Sequence, residues 1–333
     1  MLTHINWIRG IAISLIVFIH MADGVIYDLS PLETLVINLF TQEATCIFVV
    51  VSGFFFQFNI DKYSYQEYLW KKINNVIIPY VLISIPAILI YVLQFKTEHK
   101  WVDMTAFYSK PMIEQVLFML GTGAHLGPLW FIPALAMLYL IAPVLKALSK
   151  TRLFPLLVGL GALFFALTER PVNDSNPLLA AVHFLPIYLL GMLFCQHRKR
   201  LEAPRFIPVF ALLFVGLSVL SCYDMNLIGL QKACLCFLMF GGLLACRERI
   251  ERQHARMAEC LGLIGTYSFS IYFIHGYFAG AFRIFSDYLT FDQFISYLGA
   301  RIALTVLTVM ACIVITQCVK NVAKRNSRTL IGS

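Results

Sequence analysis

Charge is scarce in this sequence: acidic and basic residues make up 13% of it, against 59% hydrophobic. A water-soluble domain usually carries about 25% charged and about 45–50% apolar residues, so one soluble core cannot bury this excess. Low-complexity tracts are missing too, and Phe, Leu and Ile dominate, which excludes a disordered or fibrous chain. There is no internal repeat and no linker long enough to separate a soluble domain, so residues 1–333 read as a single domain. The nine cysteines form no CxxC pair. Nearly all fall in apolar runs, where Cys behaves as a small hydrophobe, and they indicate neither a disulfide framework nor a metal site. No HExxH or similar spacing occurs, so no metal is expected. The formal charge of +8 invites a nucleic-acid partner. No zinc finger, helix-turn-helix or aromatic–basic pattern accompanies it, and none is expected.

What is present is a series of long apolar runs, at roughly 6–26, 34–57, 76–95, 128–147, 153–168, 180–195, 206–222, 227–246, 260–282 and 297–319. Each approaches the length of about 20 residues that a membrane-crossing helix needs, the shorter ones being tolerated by local thinning. The expected fold is all-α: a polytopic integral membrane protein of about ten transmembrane helices. The first run, between Arg9 and His20, resembles a signal peptide. No small-x-small cleavage site follows before Asp23, and an uncleaved first helix is expected.

Lys and Arg placement gives the orientation. One set of connections carries Lys62, Lys71 and Lys72, then Lys146, Lys150 and Arg152, then Arg198, Lys199, Arg200 and Arg205. It continues with Arg247, Arg249, Arg252 and Arg256, and ends with Lys320, Lys324, Arg325 and Arg328. The alternate set holds only Lys96, Lys100, Lys110 and Arg170, with Lys232, Arg283 and Arg301 near helix ends. The basic set is expected in the cytoplasm, which puts both termini there. Those loops can also touch anionic lipid headgroups. The longest external segment runs from 96 to 127. Phe107, Met112, Val116, Leu117 and Leu120 are expected to line one face of a short surface helix in it, broken by Gly121, Gly123 and Gly127.

Ionisable groups at membrane depth are costly and point to function. Arg9 and His20 are eleven residues apart, about 16 Å along a helix, with Arg9 near the inner face and His20 in the outer half. Asp23 can share the face of His20. By depth, Glu43, His125, His183 and His275 also approach the outer leaflet, whereas Ser52, Lys71 and Lys72 lie on the inner side. Inner cations can hold a phosphate-bearing donor, and an outer histidine can take a proton from a hydroxyl. The plainer alternative stays open: each histidine only bonds a neighbouring helix, and Arg9 snorkels to headgroups.

These residues resemble the membrane-bound acyltransferase-3 family, whose members O-acylate sugars and other hydroxyl compounds, often on bacterial surface polysaccharides. Arg9 and His20 match its Arg-x10-His signature within Trp7-Ile8-Arg9-Gly10-Ile11-Ala12. Phe48 to Phe54, with Ser52 and Gly53, match a Phe-x-x-x-Ser-Gly-Phe element. Lys71-Lys72 before Pro79-Tyr80 match a basic segment ending in Pro-Tyr, and Leu129-Trp130-Phe131 match a Leu-Trp-Phe element. Ser268, Ile271, Tyr272 and His275 match a late Ser-x-x-Ile-Tyr-x-x-His element. The likeness spans residues 5 to about 320. The size resembles that of compact members such as the enterobacterial common antigen and intercellular adhesin O-acetyltransferases. Two features depart from the pattern. Asn6 stands where many relatives carry Asp, and the arginine-rich stretch is reduced to Lys71 and Lys72, with Asn74 and Asn75 nearby.

The resemblance implies a transferase of the bacterial cytoplasmic (inner) membrane. Its co-substrate would be acyl-CoA, usually acetyl-CoA, with no bound cofactor, and its acceptor a hydroxyl on a lipid-linked or nascent surface glycan. Arg9, Ser52, Lys71 and Lys72 would hold the donor. His20 would be general base or a transient acyl carrier, oriented by Asp23 or Glu43, and His275 would join the catalytic set and help shape the acceptor site. His125, Trp130, His183 and Tyr272 would shape the acceptor side. Two other classes compete: a transporter or flippase for a lipid-linked sugar or small polar solute, and a non-catalytic component of a polysaccharide export complex.

Overall fold

A computed structural model describes residues 3–62, 64–171, 176–324 and 327–332; Arg325 of the basic tail lies outside the described residues. The described chain is helical throughout, apart from turns and one isolated bridge between Ile26 and Thr290. The helices are α1 (Thr3–His20), α2 (Pro31–Thr41), α3 (Thr45–Phe58), α4 (Tyr65–Lys72), α5 (Ile78–Val92), α6 (Met104–Tyr108), α7 (Met112–Thr122), α8 (Phe131–Leu140) and α9 (Ala142–Ser149). They continue with α10 (Phe154–Leu167), α11 (Pro177–Gln196), α12 (Arg198–Leu201), α13 (Ile207–Ser221), α14 (Ile228–Gln253), α15 (Ala255–Thr266), α16 (Ser268–Ile284), α17 (Phe294–Ala323) and α18 (Ser327–Ile331).

Seven stretches of the described residues are long and apolar enough to cross a membrane, and two bent pairs bring the number to nine. The bent pairs are Met112–Thr122 with Gly127–Leu140, at 79°, and Ala255–Thr266 with Ser268–Ile284, at 78°. The shorter apolar helix Phe154–Leu167 accompanies them, so every expected run has a helical counterpart. The outward faces confirm the solvent. Leu156, Leu160 and Leu163 on α10, Leu212 and Val215 on α13, and Val306, Leu307 and Met310 on α17 are all exposed. A water-soluble monomer rarely exposes apolar surface on this scale; lipid tails cover it without cost. This is a polytopic, all-helical membrane protein.

α1 is the hub, packed against α3, α14, α15, α16 and α17, with Ile5, Trp7, Ile8, Ala12, Ile13, Ile16 and Val17 buried. Lipid gives no hydrophobic drive between helices, so close backbone approach carries the packing. One such close crossing is α3 on α11. A Cβ at Gly53 would sit 2.0 Å from the Tyr188 carbonyl oxygen, and one at Gly191 would sit 2.1 Å from that of Val50. Only glycine fits at either place, and the crossing fixes which face Ser52 presents.

Polar contacts sort the helix ends into two sets. At one end Asp61 lies 3.1 Å from Lys146 and 3.3 Å from Lys150. The two ammoniums hold its carboxyl below the usual range. At the same end Gln196 donates to the Ser149 carbonyl, and His4 lies 3.7 Å from Glu202. At the other end Asp23 lies 3.8 Å from Lys100, Glu43 lies 2.7 Å from Arg170, and Ile26 exchanges backbone bonds with Leu289 and Phe291. The division coincides with the alternation of basic loops. The first residues of α1 and the last of α18 both lie at the first end.

Several expected runs differ in detail. The third begins at Tyr65 rather than 76, because Ser64 and Glu67 form a reciprocal capping box. Lys71 and Lys72 therefore ride on a helix and enter the wide turn Ile73–Ile77. The eighth extends to Gln253, where Arg247–Glu251 and Glu248–Arg252 pairs continue it beyond the apolar stretch. The ninth breaks at Tyr267. Lys232 and Arg301, expected near helix ends, are buried. Lys232 donates to the Leu39 carbonyl and to Gln231, and Arg301 to Phe18 O and to the Tyr297 hydroxyl. The segment 96–127, expected to be external, holds two helices, α6 and α7, instead of one. Phe107 is buried on the first, while Met112 and Leu117 are exposed on the second. Pro111 separates them, since the residue before a proline resists helical geometry.

Candidate active site

The principal cavity opens at the end shared by both termini and measures about 770 Å³, the size of a cofactor or nucleotide pocket. α1, α3, α4, the turn Ile73–Ile77, α8, α9, α11, α15, α16, α17 and α18 all contribute to its wall. Arg9, Ser52, Lys71 and Lys72 line it together, although they come from three separate stretches of chain. Lys146, Lys320 and Arg328 line it as well. Six cations thus face one space, and no carboxylate is among the described residues that line it. Aromatic rings fill the gaps. Lys72 lies 4.7 Å from the Tyr139 ring centroid and 5.3 Å from that of Tyr68, and Lys320 lies 4.3 Å from that of Tyr267. Arg9 donates to the Ser268 hydroxyl at 2.8 Å, where the break at Tyr267 lets α16 start.

The second constellation lies at the opposite end of α1. His20, half-buried, closes that helix with its ring centroid 5.3 Å from that of His275. His275 donates from Nδ1 to the Ile271 carbonyl at 2.9 Å, because a carbonyl can only accept. Its Nε2 is buried with no hydrogen-bond partner among the described residues. Tyr272, whose ring is 5.8 Å from His275, donates its hydroxyl to the Pro128 carbonyl. This pins the short turn Gly127–Trp130 to α16. From that turn Trp130 offers its ring to Arg170, with the guanidinium carbon 4.4 Å from the centroid.

Arg170 organises this side. It bonds Glu43 at 2.7 Å, stacks over Trp130 and reaches Phe184 at 5.7 Å. Glu43 sits in the break between α2 and α3 at φ 55, a left-handed conformation costly for a residue with a Cβ. The chain tolerates it where the carboxylate meets a guanidinium. His183 lies between the rings of Phe165 and Phe184, at 4.4 and 5.0 Å.

Two expected residues stand elsewhere. Asp23 is exposed and pairs with Lys100, and the ring beside His20 is that of a histidine rather than a carboxylate. His125 is buried with both ring nitrogens engaged: Nδ1 at 2.9 Å from the Met119 carbonyl and Nε2 at 2.7 Å from the Ser84 hydroxyl. It joins α5 to the turn after α7. Arg170, Lys146, Lys320 and Arg328 were not singled out in the sequence. Each read as an ordinary loop or tail cation, and nothing local marks it otherwise.

The chain matches the model of the acyltransferase domain family over residues 2–317. It belongs to the acyltransferase-3 family. The enzyme is therefore a membrane-embedded O-acyltransferase. No curated protein and no solved structure shows significant similarity to it. The acyltransferase accommodates its departure at Asn6 with a contact an aspartate lacks. The Asn6 amide donates to the Gly262 carbonyl at 2.7 Å and to the Thr266 hydroxyl at 3.1 Å, and a carboxylate has no hydrogen to give.

Proposed function

We propose that this acyltransferase carries an acetyl group from cytoplasmic acetyl-CoA to a hydroxyl of a lipid-linked or surface glycan at the outer side of the bacterial inner membrane, as a compact surface-glycan O-acetyltransferase. The observation that carries this reading is the concentration of six cations, without a carboxylate, in one large cavity at the Arg9 end of the helix that ends in His20. Six cations around a partly desolvated space, with Asp61 reaching only Lys146 among them from outside the lining, call for a polyanion. CoA brings clustered phosphates and a long, thin pantetheine arm. That arm would thread from Arg9 toward His20, about 16 Å along α1.

In this mechanism His20 accepts the proton of the acceptor hydroxyl as its oxygen attacks the thioester carbonyl. Collapse of the tetrahedral intermediate breaks the carbon–sulfur bond, and the CoA thiolate takes the proton from His20 as it leaves. The unpartnered Nε2 of His275 supports the base reading: it can accept a hydrogen bond from one ring nitrogen of His20, leaving the lone pair of the other for the hydroxyl. Glu43, Trp130, His183 and Tyr272 would border the acceptor, with Arg170 fixing Glu43 and Trp130.

The test is the initial rate of acceptor-dependent CoA release from acetyl-CoA, normalised to protein amount. General acid–base catalysis is worth roughly 10²–10⁴-fold, so His20→Asn should lower the rate by about that factor at normal abundance. A rate within about threefold of wild type would exclude His20 as the base.

A further inference from the structure

Lys320 and Arg328 belong to the basic tail that the positive-inside pattern already explains. Their placement asks for more than topology. α17 ends at Ala323, and the chain turns at Lys324 with φ 46. α18 then returns along α5 and the turn Ile73–Ile77. It is fastened there: the Ser270 hydroxyl donates to the Ile331 carbonyl at 2.9 Å, Ile331 is buried, and Gly332 lies against Phe273 and the Asn75 backbone. A cation that merely snorkels to headgroups needs no such anchor. The docking brings Arg328 close enough to Lys72 for their charges to repel, and both line the cavity with Lys320. Neither Lys72, Lys320 nor Arg328 has a carboxylate partner among the described residues. A fold that packs a tail so as to crowd like charges gains from it when an anion with several phosphates bridges them.

We propose that Lys320 and Arg328, carried by the end of α17 and by α18, form the far jaw of a phosphate clamp that closes against Arg9 and Lys72 on the phosphorylated half of the acyl donor. The proposal rests on the reading of this cavity as the donor site. It makes the C-terminal tail part of donor recognition, and donor affinity dependent on the docking of α18.

The experiment uses the full-length acyltransferase in detergent with two donors, acetyl-CoA and the phosphate-free thioester acetyl-pantetheine. Arg328→Gln and Lys320→Gln should each reduce the preference for acetyl-CoA over acetyl-pantetheine by roughly tenfold, a usual scale for one charge-assisted phosphate contact. Arg328→Lys should keep most of that preference. An equal fall with both donors would overturn the clamp and make the tail a structural prop. A wild-type enzyme that uses the two donors equally well would instead remove the donor-site reading itself. The same phosphate chemistry occurs in lipid headgroups, so the assay is repeated in vesicles of neutral lipid and of neutral lipid with phosphatidylglycerol. A defect of Arg328→Gln that persists in neutral lipid supports the clamp; one confined to the anionic vesicles assigns Arg328 to the membrane surface and overturns it.

Discussion

The two ends of α1 solve the problem of charge in a membrane in opposite ways. At the His20 end the charges are compensated within the protein: Glu43 holds Arg170, Arg170 covers Trp130, and His20 faces a second histidine. At the Arg9 end six cations share a cavity lined by aromatic rings and no described carboxylate. A self-neutralised site suits a neutral ligand such as a sugar hydroxyl. A site left positive suits a ligand that brings its own negative charge. On the proposed reading, the difference between donor and acceptor is written into the electrostatics of one helix's two ends.

The comparison breaks first at Arg170. If the outer site is neutral because Glu43 and Arg170 cancel, Arg170→Ala strands a partly buried carboxylate on a strained residue. Removing one partner of a buried pair costs about 3–5 kcal/mol; Arg170 is about a third exposed, which puts this case near the lower limit. Thermal unfolding in detergent should fall clearly, and the double variant Glu43→Gln with Arg170→Gln should recover much of the loss. No recovery would mean that the pair does not act as a unit.

A smaller effect is expected at His275, proposed to position His20. His275→Ala should lower kcat by about 10–100-fold, the usual scale for the partner that orients a working imidazole. The donor KM should stay put, because the proposed donor cavity lies at the other end of α1, and His275→Gln, which can still accept a hydrogen bond, should recover part of the rate. A change confined to KM would place His275 in binding instead.

At the inner end, Arg9→Gln should raise the donor KM by roughly tenfold with little effect on acceptor KM. Added salt should raise the donor KM further, because exposed charges at the cavity mouth are screened over about 8–10 Å at physiological ionic strength. A salt-independent donor KM would contradict the view that this site works by its surplus of positive charge.

The smallest effect concerns the segment between α5 and α7, at the His20 end but outside the Glu43–Arg170 pair. His99 accepts the backbone N–H groups of Trp101 and Val102 on Nδ1 and donates from Nε2 to the Ala124 carbonyl. Burial, with Lys96 nearby, lowers its pKa below the ordinary 6.5. The folded segment therefore binds its proton less readily than the unfolded chain. Its order is fully supported above pH 6.5, and the support declines as pH falls through the lowered value. Hydrogen exchange over residues 96–110 should rise between neutral and acidic pH, and His99→Asn should flatten that dependence. Unchanged exchange across this range would show that the histidine does not hold the segment.

The apolar runs, the helical class and the division of loops into two sets were legible in the sequence, because each depends only on local composition and on Lys and Arg counts. So was the pairing of Arg9 with His20 on one helix, since helical rise alone spaces them. Helix breaks were not legible. The starts at Tyr65 and Ser268 and the turn at Glu43 depend on caps and contacts that apolarity does not encode. The partners of the polar groups were decided only by the tertiary structure. Asp23 and Lys100, Glu43 and Arg170, and His125 and Ser84 lie 77, 127 and 41 residues apart, as counted along the chain. The sequence offers many equally plausible partners at those depths. Helix crossings as close as Gly53 on Tyr188 choose among them, because backbones in such contact leave a side chain only one neighbour to meet. The tail shows the same limit: Arg328 is one more basic residue until α18 folds back against α5 and turns it into part of a cavity wall.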